Sequence, residues 1–222
     1  MTTTWRSETA VARLRCSLPF ASCYVYAPHG DGLLAAEARA LCQRLKSGDP
    51  LWLPRYAAYA ASLVAHGGLL AQLFSRDAWL VPVPGNRATT PADSAAWKLA
   101  FALRALGLGR CLWPGLARSS PVRKSATALP GERPTFEQHY DSFMVRVAPG
   151  VAAARLVLVD DVITRGRTLL AAAARLRAAC PHADVRAYAM VRTLGYLNRL
   201  DRLRAPCVGV VYWAGGDVRR EP

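Results

Sequence analysis

The sequence is poor in lysine and in acidic residues. Lys46, Lys98 and Lys124 are its only lysines, and 29 basic residues stand against 15 acidic ones in 222 residues. Only 20% of the residues are charged and 52% are hydrophobic, which excludes a disordered chain and favours a domain with a full core. The net charge of +14 predicts polyanionic partners such as nucleotides, nucleic acid or an anionic surface. An arginine-rich composition without such a partner would give the same charge.

No two of the six cysteines form a C-x-x-C pair. A zinc ribbon requires such pairs, and the four isolated histidines offer no replacement, so we expect no structural zinc. A disulfide framework is typical of small secreted chains rather than of one this long and apolar. We therefore expect the cysteines to be reduced: Cys16, Cys23, Cys42, Cys111, Cys180 and Cys207.

The chain also lacks a strong membrane span. Residues 56–75 carry no Asp, Glu, Lys or Arg, but they contain His66, a Gly67-Gly68 pair and many alanines. Such a segment is too weakly apolar to span a bilayer and instead predicts a helix that ends at the glycine pair. Near the N-terminus, Pro19 interrupts the apolar core that a signal peptide would need. We expect a cytoplasmic protein with no membrane segment.

The most informative segment that is present spans residues 156–168, LVLVDDVITRGRT. Residues 156–159 predict a buried parallel strand, and residues 169–179 predict a helix. The polar turn between them lies at a helix N-terminus, where free N–H groups and the helix dipole favour an anion. Hydroxyl groups, a glycine and two guanidinium groups make this turn a predicted 5-phosphate loop, formed by Thr164, Arg165, Gly166, Arg167 and Thr168.

Asp160 and Asp161, between that strand and the turn, suit a different chemical group. Two carboxylates repel a phosphate but accept hydrogen bonds from vicinal hydroxyls, or lie near a hydrated divalent cation. Anion binding on one side and hydroxyl binding on the other predict a ribose 5-phosphate ligand, with Mg²⁺ reached through the ligand and water. A core strand followed by an ordinary helix would explain the apolar run but not the acidic pair.

These thirteen residues resemble the signature of type I phosphoribosyltransferases, which bind 5-phosphoribosyl 1-diphosphate (PRPP). With residues 44–49 and 80–84 before them, they resemble the branch of competence protein F (ComF), here lacking the N-terminal zinc ribbon. The resemblance implies transfer of a phosphoribosyl group to an unidentified nitrogen acceptor, with release of pyrophosphate and with Mg²⁺ as cofactor. A non-catalytic PRPP-binding regulator and a ComF-like DNA-uptake factor remain open.

Two further loops belong to the predicted site. In the family the loop matching residues 84–87 holds pyrophosphate, which implies that role for Gly85, Asn86 and Arg87, although an ordinary turn is the alternative. Residues 119–134 lack periodicity and predict a long loop, which in the family closes over the substrate, although a plain solvated loop is the alternative. The residues predicted to stabilise the leaving pyrophosphate, and hence to be catalytic, are Arg87, Arg123 and Lys124.

Residues 94–131 contain no acidic residue but six basic ones: Lys98, Arg104, Arg110, Arg118, Arg123 and Lys124. This region predicts either a surface for single-stranded DNA or other nucleic acid, or charges that serve the pyrophosphate. Aromatic residues do not alternate with these bases as a stacking surface would require, which favours the second interpretation.

Alternating strand and helix patterns predict an α/β fold with a doubly wound, mostly parallel sheet. The resemblance implies that this sheet is of the type I phosphoribosyltransferase kind, with a small N-terminal or C-terminal hood element. We predict an N-terminal arm over residues 1–22 and a phosphoribosyltransferase-like domain over residues 23–222, with the hood and first helices in residues 23–77. Strands are predicted at 23–27, 79–83, 111–113, 143–147, 156–159, 185–191 and 208–213. A homodimer is left open.

Overall fold

Strands and helices alternate along most of the chain. The structure, a computed structural model, describes residues 17–86, 91–123, 133–147, 149–150, 154–195 and 197–222. The strands in these ranges are β1 (Leu18–Tyr26), β2 (Trp79–Pro82), β3 (Cys111–Leu112), β4 (Leu116–Arg118), β5 (Phe143–Val145), β6 (Arg155–Ile163), β7 (Asp184–Thr193), β8 (Arg204–Ala214) and β9 (Asp217–Glu221). The helices are α1 (Leu33–Ser47), α2 (Leu53–Ala65), α3 (Ala95–Ala105), α4 (Phe136–Ser142) and α5 (Arg167–Ala179).

Seven strands form one sheet in the order β3-β2-β6-β7-β1-β8-β9, and β4 pairs with β5 separately. The first five strands of that order are parallel, whereas β8 and β9 extend the sheet in antiparallel pairing. Helices flank this sheet on both faces. The prediction of an α/β fold with a mostly parallel sheet is therefore confirmed.

Strand β6 lies inside the sheet and is buried on both faces. Leu156 and Leu158 pack with Leu169 of α5, and Val157 and Val159 pack on the opposite face among residues of α1, α2 and α3. Burial of successive side chains on both faces explains why the strand is a continuous apolar run instead of an alternating one.

The first strand and the first helix begin where the sequence pattern did not predict. Strand β1 starts at Leu18, so the predicted boundary at residue 22 falls within it, while residues 1–16 lie outside the described residues. Helix α1 has Gly32 at its N-cap without a side-chain cap. Asp31, the acidic residue just before this glycine, forms a β-bridge with Arg199 instead of capping the helix.

Short turns precede the next two helices. The Asp49 carboxylate accepts hydrogen bonds from the backbone N–H groups of Leu51 and Trp52, at 2.9 and 3.2 Å, and α2 starts only at Leu53. Before α3, a 3-10 turn spans Pro91–Asp93, and Ser94 caps the helix. At the first of these helices the Asp49 side chain therefore shapes a turn that precedes the helix.

Three elements were not predicted, namely β4, α4 and β9, although local signals exist for the last two. Helix α4 starts with a capping box in which Thr135 and Gln138 satisfy each other's backbone N–H groups. Strand β9 follows β8 through Gly215-Gly216, a glycine pair with positive φ angles that suits a two-residue hairpin turn. These elements carry His139 and Asp217, both of which contact the predicted 5-phosphate loop.

Other predictions concern cysteines, metals and membranes. The five cysteines in the described ranges are free, and Cys16 lies outside them. None of the described helices is long and apolar enough to cross a membrane. Within the same residues no group of three or more His, Cys, Asp or Glu side chains is arranged to hold a metal ion. The absence of structural zinc remains a prediction.

Candidate functional site

Strands β2 and β6 are neighbours in the sheet, and the chain leaves them toward opposite edges of the sheet. After β2 the chain passes through α3, on the face shared with Val157 and Val159, and returns as β3. After β6 it passes through α5, on the opposite face, and returns as β7. Such divergence opens a crevice at the carboxyl ends of the two strands, where open α/β sheets bind their ligands.

The acidic pair lies at this crevice, within the last residues of β6. The pairing of Pro82 with Val159 places the loop after β2 beside Asp160. The Asp160 carboxylate accepts a hydrogen bond from the N–H of Asp161 at 2.9 Å, and that of Asp161 accepts from the N–H of Val162 at 3.0 Å. Burial and the neighbouring Asp161 carboxyl raise the pKa of Asp160 well above its usual range, against the opposing effect of Arg118. Because its charge is poorly compensated, Asp160 would gain from donors such as sugar hydroxyls.

The predicted 5-phosphate loop connects β6 to α5. Gly166 caps α5 with a φ of 89°, and a Cβ atom there would lie 2.6 Å from Cγ1 of Val211. Both the left-handed backbone and the contact with β8 therefore require glycine. Helix α5 begins at Arg167, two residues earlier than predicted, so Thr168 lies in its first turn, while Thr164 is exposed in the loop.

The two arginines of this loop are paired within the protein. Arg167 donates through Nε and Nη2 to the two carboxylate oxygens of Asp217, at 2.7 and 2.6 Å. Arg165 donates through Nη1 to Oδ2 of the same carboxylate at 3.2 Å. The hydrogen bond from Arg167 lowers the pKa of Asp217. The sequence predicted that both guanidinium groups bind a phosphate. In the structure they form ion pairs with the β8–β9 hairpin instead.

The same hairpin reaches across the carboxyl ends of two central strands. Arg220 of β9 donates through Nη1 to the carbonyl of Ile163 at 3.1 Å and through Nη2 to that of Thr193 at 2.5 Å. These residues end β6 and β7. The role of Arg220 was not predicted from the sequence, because nothing in its own segment indicates contacts with strands so distant in sequence.

The predicted pyrophosphate loop follows β2, the strand that pairs with β6 beside the acidic pair. Among the described residues, apart from the chain neighbours of Gly85, no atom comes within 4 Å of a Cβ atom built on that glycine. The carbonyl of Asn86 accepts a hydrogen bond from the N–H of Val122 at 2.9 Å. The predicted long loop thus begins against this one, with Arg123 next along the chain. Arg87 and Lys124 lie outside the described residues.

Arg118 joins the two predicted anion-binding loops through buried side chains. It is only 7% exposed, although the sequence placed it among the bases of a charged surface. Its Nε donates to the carbonyl of Gly85 at 2.5 Å, and Nη1 donates to the Ser142 hydroxyl. Its guanidinium lies 4.2 Å from the centre of the Phe143 ring. Burial lowers the pKa of Arg118 to about 10, so it remains charged at pH 7.

His139 continues this connection to the other loop. Its Nδ1 lies 3.3 Å from Nη2 of Arg118, and its Nε2 lies 3.3 Å from the hydroxyl oxygen of Thr168. Burial, followed by the positive charges of Arg118 and Arg167, lowers the pKa of His139 to about 4. The imidazole is therefore neutral at pH 7. From the sequence His139 was one of four isolated histidines with a structural or surface role.

No protein-family model matches the sequence, and no curated protein matches it.

The crevice brings together two carboxylates, a loop at a helix N-terminus and a glycine loop, each at the carboxyl end of β2 or β6. Chemically, this arrangement can hold a ligand that has hydroxyls in its middle and an anionic group at each end.

Proposed function

We propose that the protein is a type I phosphoribosyltransferase of the ComF-like branch. In this proposal PRPP binds between the carboxyl ends of β2 and β6, with its ribose against the acidic pair. A nitrogen atom of the acceptor attacks ribose C1 as the bond from C1 to the pyrophosphate oxygen breaks. The products are a phosphoribosylated acceptor and pyrophosphate, and the acceptor gives up a proton.

The observation that carries this proposal is the position of Asp160 and Asp161 at the carboxyl end of β6, beside the loops that follow β2 and β6. Burial of the Asp160 carboxyl, which raises its pKa, is costly for the fold, and vicinal hydroxyls would offset that cost by donating hydrogen bonds. Two anion-directed loops next to the pair suit a ribose substituted with phosphate at one end and pyrophosphate at the other. The type I sheet, with the hairpin as its C-terminal hood, is part of the same proposal.

Each loop would bind one end of PRPP. Thr164, Gly166 and Thr168 would hold the 5-phosphate through hydroxyl and backbone N–H groups at the start of α5. Gly85 has no side chain that would keep a pyrophosphate away from the backbone. Mg²⁺ fits this arrangement as an ion near the acidic pair, reached through water, and it would neutralise charge on the leaving pyrophosphate. Arg87, Arg123 and Lys124 are proposed to stabilise the same charge.

Calorimetric titration of PRPP with Mg²⁺ tests the ribose contact. We expect Asp160→Asn and Asp161→Asn each to weaken binding about 10- to 100-fold, because an amide replaces a charged acceptor of hydroxyl hydrogens. Asp201→Asn is the matched control, since Asp201 is exposed and outside the crevice, and it should bind PRPP normally. Unchanged affinity in both crevice variants would remove the ribose assignment.

A turnover assay separates an enzyme from a regulator. Release of pyrophosphate from PRPP in the presence of a panel of nucleobases and amines would identify the acceptor and establish catalysis. If PRPP binds tightly in a manner that depends on Asp160, but no acceptor leads to release of pyrophosphate, the protein is instead a non-catalytic PRPP-binding protein.

A further inference from the structure

We propose that His139 is a positioning residue that turns the hydroxyl hydrogen of Thr168 toward the anion in loop 164–168. This inference rests on the function proposed above. Three side chains from β4, α4 and α5 form the hydrogen-bonded series that carries it: Arg118, His139 and Thr168. Arg118 and His139 are 7% and 3% exposed, so solvent does not compete for their hydrogen bonds.

The direction of each hydrogen bond follows from the chemistry of arginine. A guanidinium has donors only, so the His139 Nδ1 atom, 3.3 Å from Arg118 Nη2, must present its lone pair. A neutral imidazole then carries its hydrogen on Nε2. That hydrogen faces the Thr168 oxygen at 3.3 Å, which accepts it. The buried arginine thereby selects the tautomer of the histidine.

Because the Thr168 oxygen accepts this hydrogen bond, its own hydroxyl hydrogen can be donated to another acceptor. A threonine inside a helix usually donates to the carbonyl four residues earlier, but here that residue, Thr164, precedes the helix. Among the described residues, His139 is the side-chain partner found for this hydroxyl. The N–H groups of the first turn also have no partner within the helix. The hydroxyl hydrogen and these N–H groups can therefore serve one anion together.

The surroundings of His139 maintain the tautomer. The charged groups that face the imidazole are the guanidinium groups of Arg118 and Arg167, and both disfavour a second proton. A protonated ring would direct an Nδ1–H group at Arg118 and break the series. A neutral ring with its hydrogen on Nε2 avoids that contact.

Two variants of similar size test the role of His139. Glutamine can accept from Arg118 and donate to Thr168, whereas methionine has no donor and its sulfur is only a weak acceptor. In titrations with ribose 5-phosphate, we expect His139→Met to weaken binding about tenfold, the usual effect of a misdirected donor to a charged oxygen, and His139→Gln to restore most of it. In a Thr168→Val background, His139→Met should cause no further loss, because the hydroxyl on which His139 acts is gone.

Several outcomes would overturn the positioning role while leaving the proposed function intact. One is wild-type affinity in His139→Met, and another is an equal loss in the Met and Gln variants. Nitrogen NMR of the wild-type protein provides a test that needs no variant to fold: a hydrogen on Nε2 of His139 is expected, and a hydrogen on Nδ1 would contradict the series. A wild-type protein that binds neither ribose 5-phosphate nor PRPP would overturn both the proposed function and this inference.

Discussion

Loop 164–168 is supported on two sides by different interactions. Its inner side is the buried series of Arg118, His139 and Thr168, in which every partner is fixed by a hydrogen bond. Its outer side is the ion-paired group of Arg165, Arg167 and Asp217, which is partly exposed. The inner side sets the direction of a donor, whereas the outer side neutralises charge and attaches the loop to the hairpin. A basic residue in the loop can therefore serve the fold instead of an anion, as Arg167 does through Asp217.

The largest effect should follow from removing the buried arginine. Arg118→Met leaves the Gly85 carbonyl, the Ser142 hydroxyl and His139 Nδ1 without their donor. We expect the free energy of unfolding to fall by about 3 kcal/mol, since each buried group left without a partner costs about 1–3 kcal/mol. Urea denaturation measures the loss. Arg110→Met, at an exposed arginine, is the control and should change stability by less than about 0.5 kcal/mol. Equal stability of the two variants would show that the inner side does not hold the loops together.

The inner side should also make stability depend on pH. The pKa of His139 is about 4 in the folded protein, below its ordinary value of 6.5, so the unfolded chain binds the extra proton first as pH falls. Stability from this group is complete above about pH 6.5 and should decrease by about 2–3 kcal/mol as pH falls to 4. His139→Gln should remove that part of the slope. Urea denaturation of both proteins across this range gives the comparison, and parallel curves would contradict the assignment.

The smallest effect should come from the outer side. Asp217→Asn releases Arg165 and Arg167, so we expect ribose 5-phosphate to bind about threefold more tightly and stability to fall by at most about 1 kcal/mol. Asp184→Asn is a matched control, because the Asp184 carboxylate also pairs with two arginines, Arg155 and Arg186, away from the loop. It should lower stability by a similar amount and leave affinity unchanged. Weaker binding in Asp217→Asn would mean that the ion pairs shape the loop instead of competing with the ligand.

Features that depend on neighbouring residues could be predicted from the sequence. The apolar run before Asp160 predicted the central strand, and the turn after it predicted the start of a helix, within two residues. Alternation of such units predicted the parallel sheet, which brings the loops after β2 and β6 to one edge. The thirteen-residue segment 156–168 therefore predicted its own strand, turn and helix start, although β6 extends to Ile163, four residues beyond the predicted end of the strand.

Contacts between distant segments could not be predicted in this way. His139 meets Arg118 across 21 residues and Thr168 across 29, through the pairing of β4 with β5 and the packing of α4. A capping box at Thr135 signals α4 but not what His139 touches. Likewise, Gly215-Gly216 signals a hairpin but not that Asp217 pairs with arginines about fifty residues earlier. Three-dimensional packing alone decides which of many arginines is buried.

The edges of the sheet have a consequence for association between copies of the chain. Exposed backbone on an edge strand can pair with another molecule and lead to aggregation. One edge here, β3, is only two residues long, and the other, β9, carries the exposed charged residues Arg219 and Glu221. Short length at one edge and charge at the other both oppose a continuous sheet across two molecules.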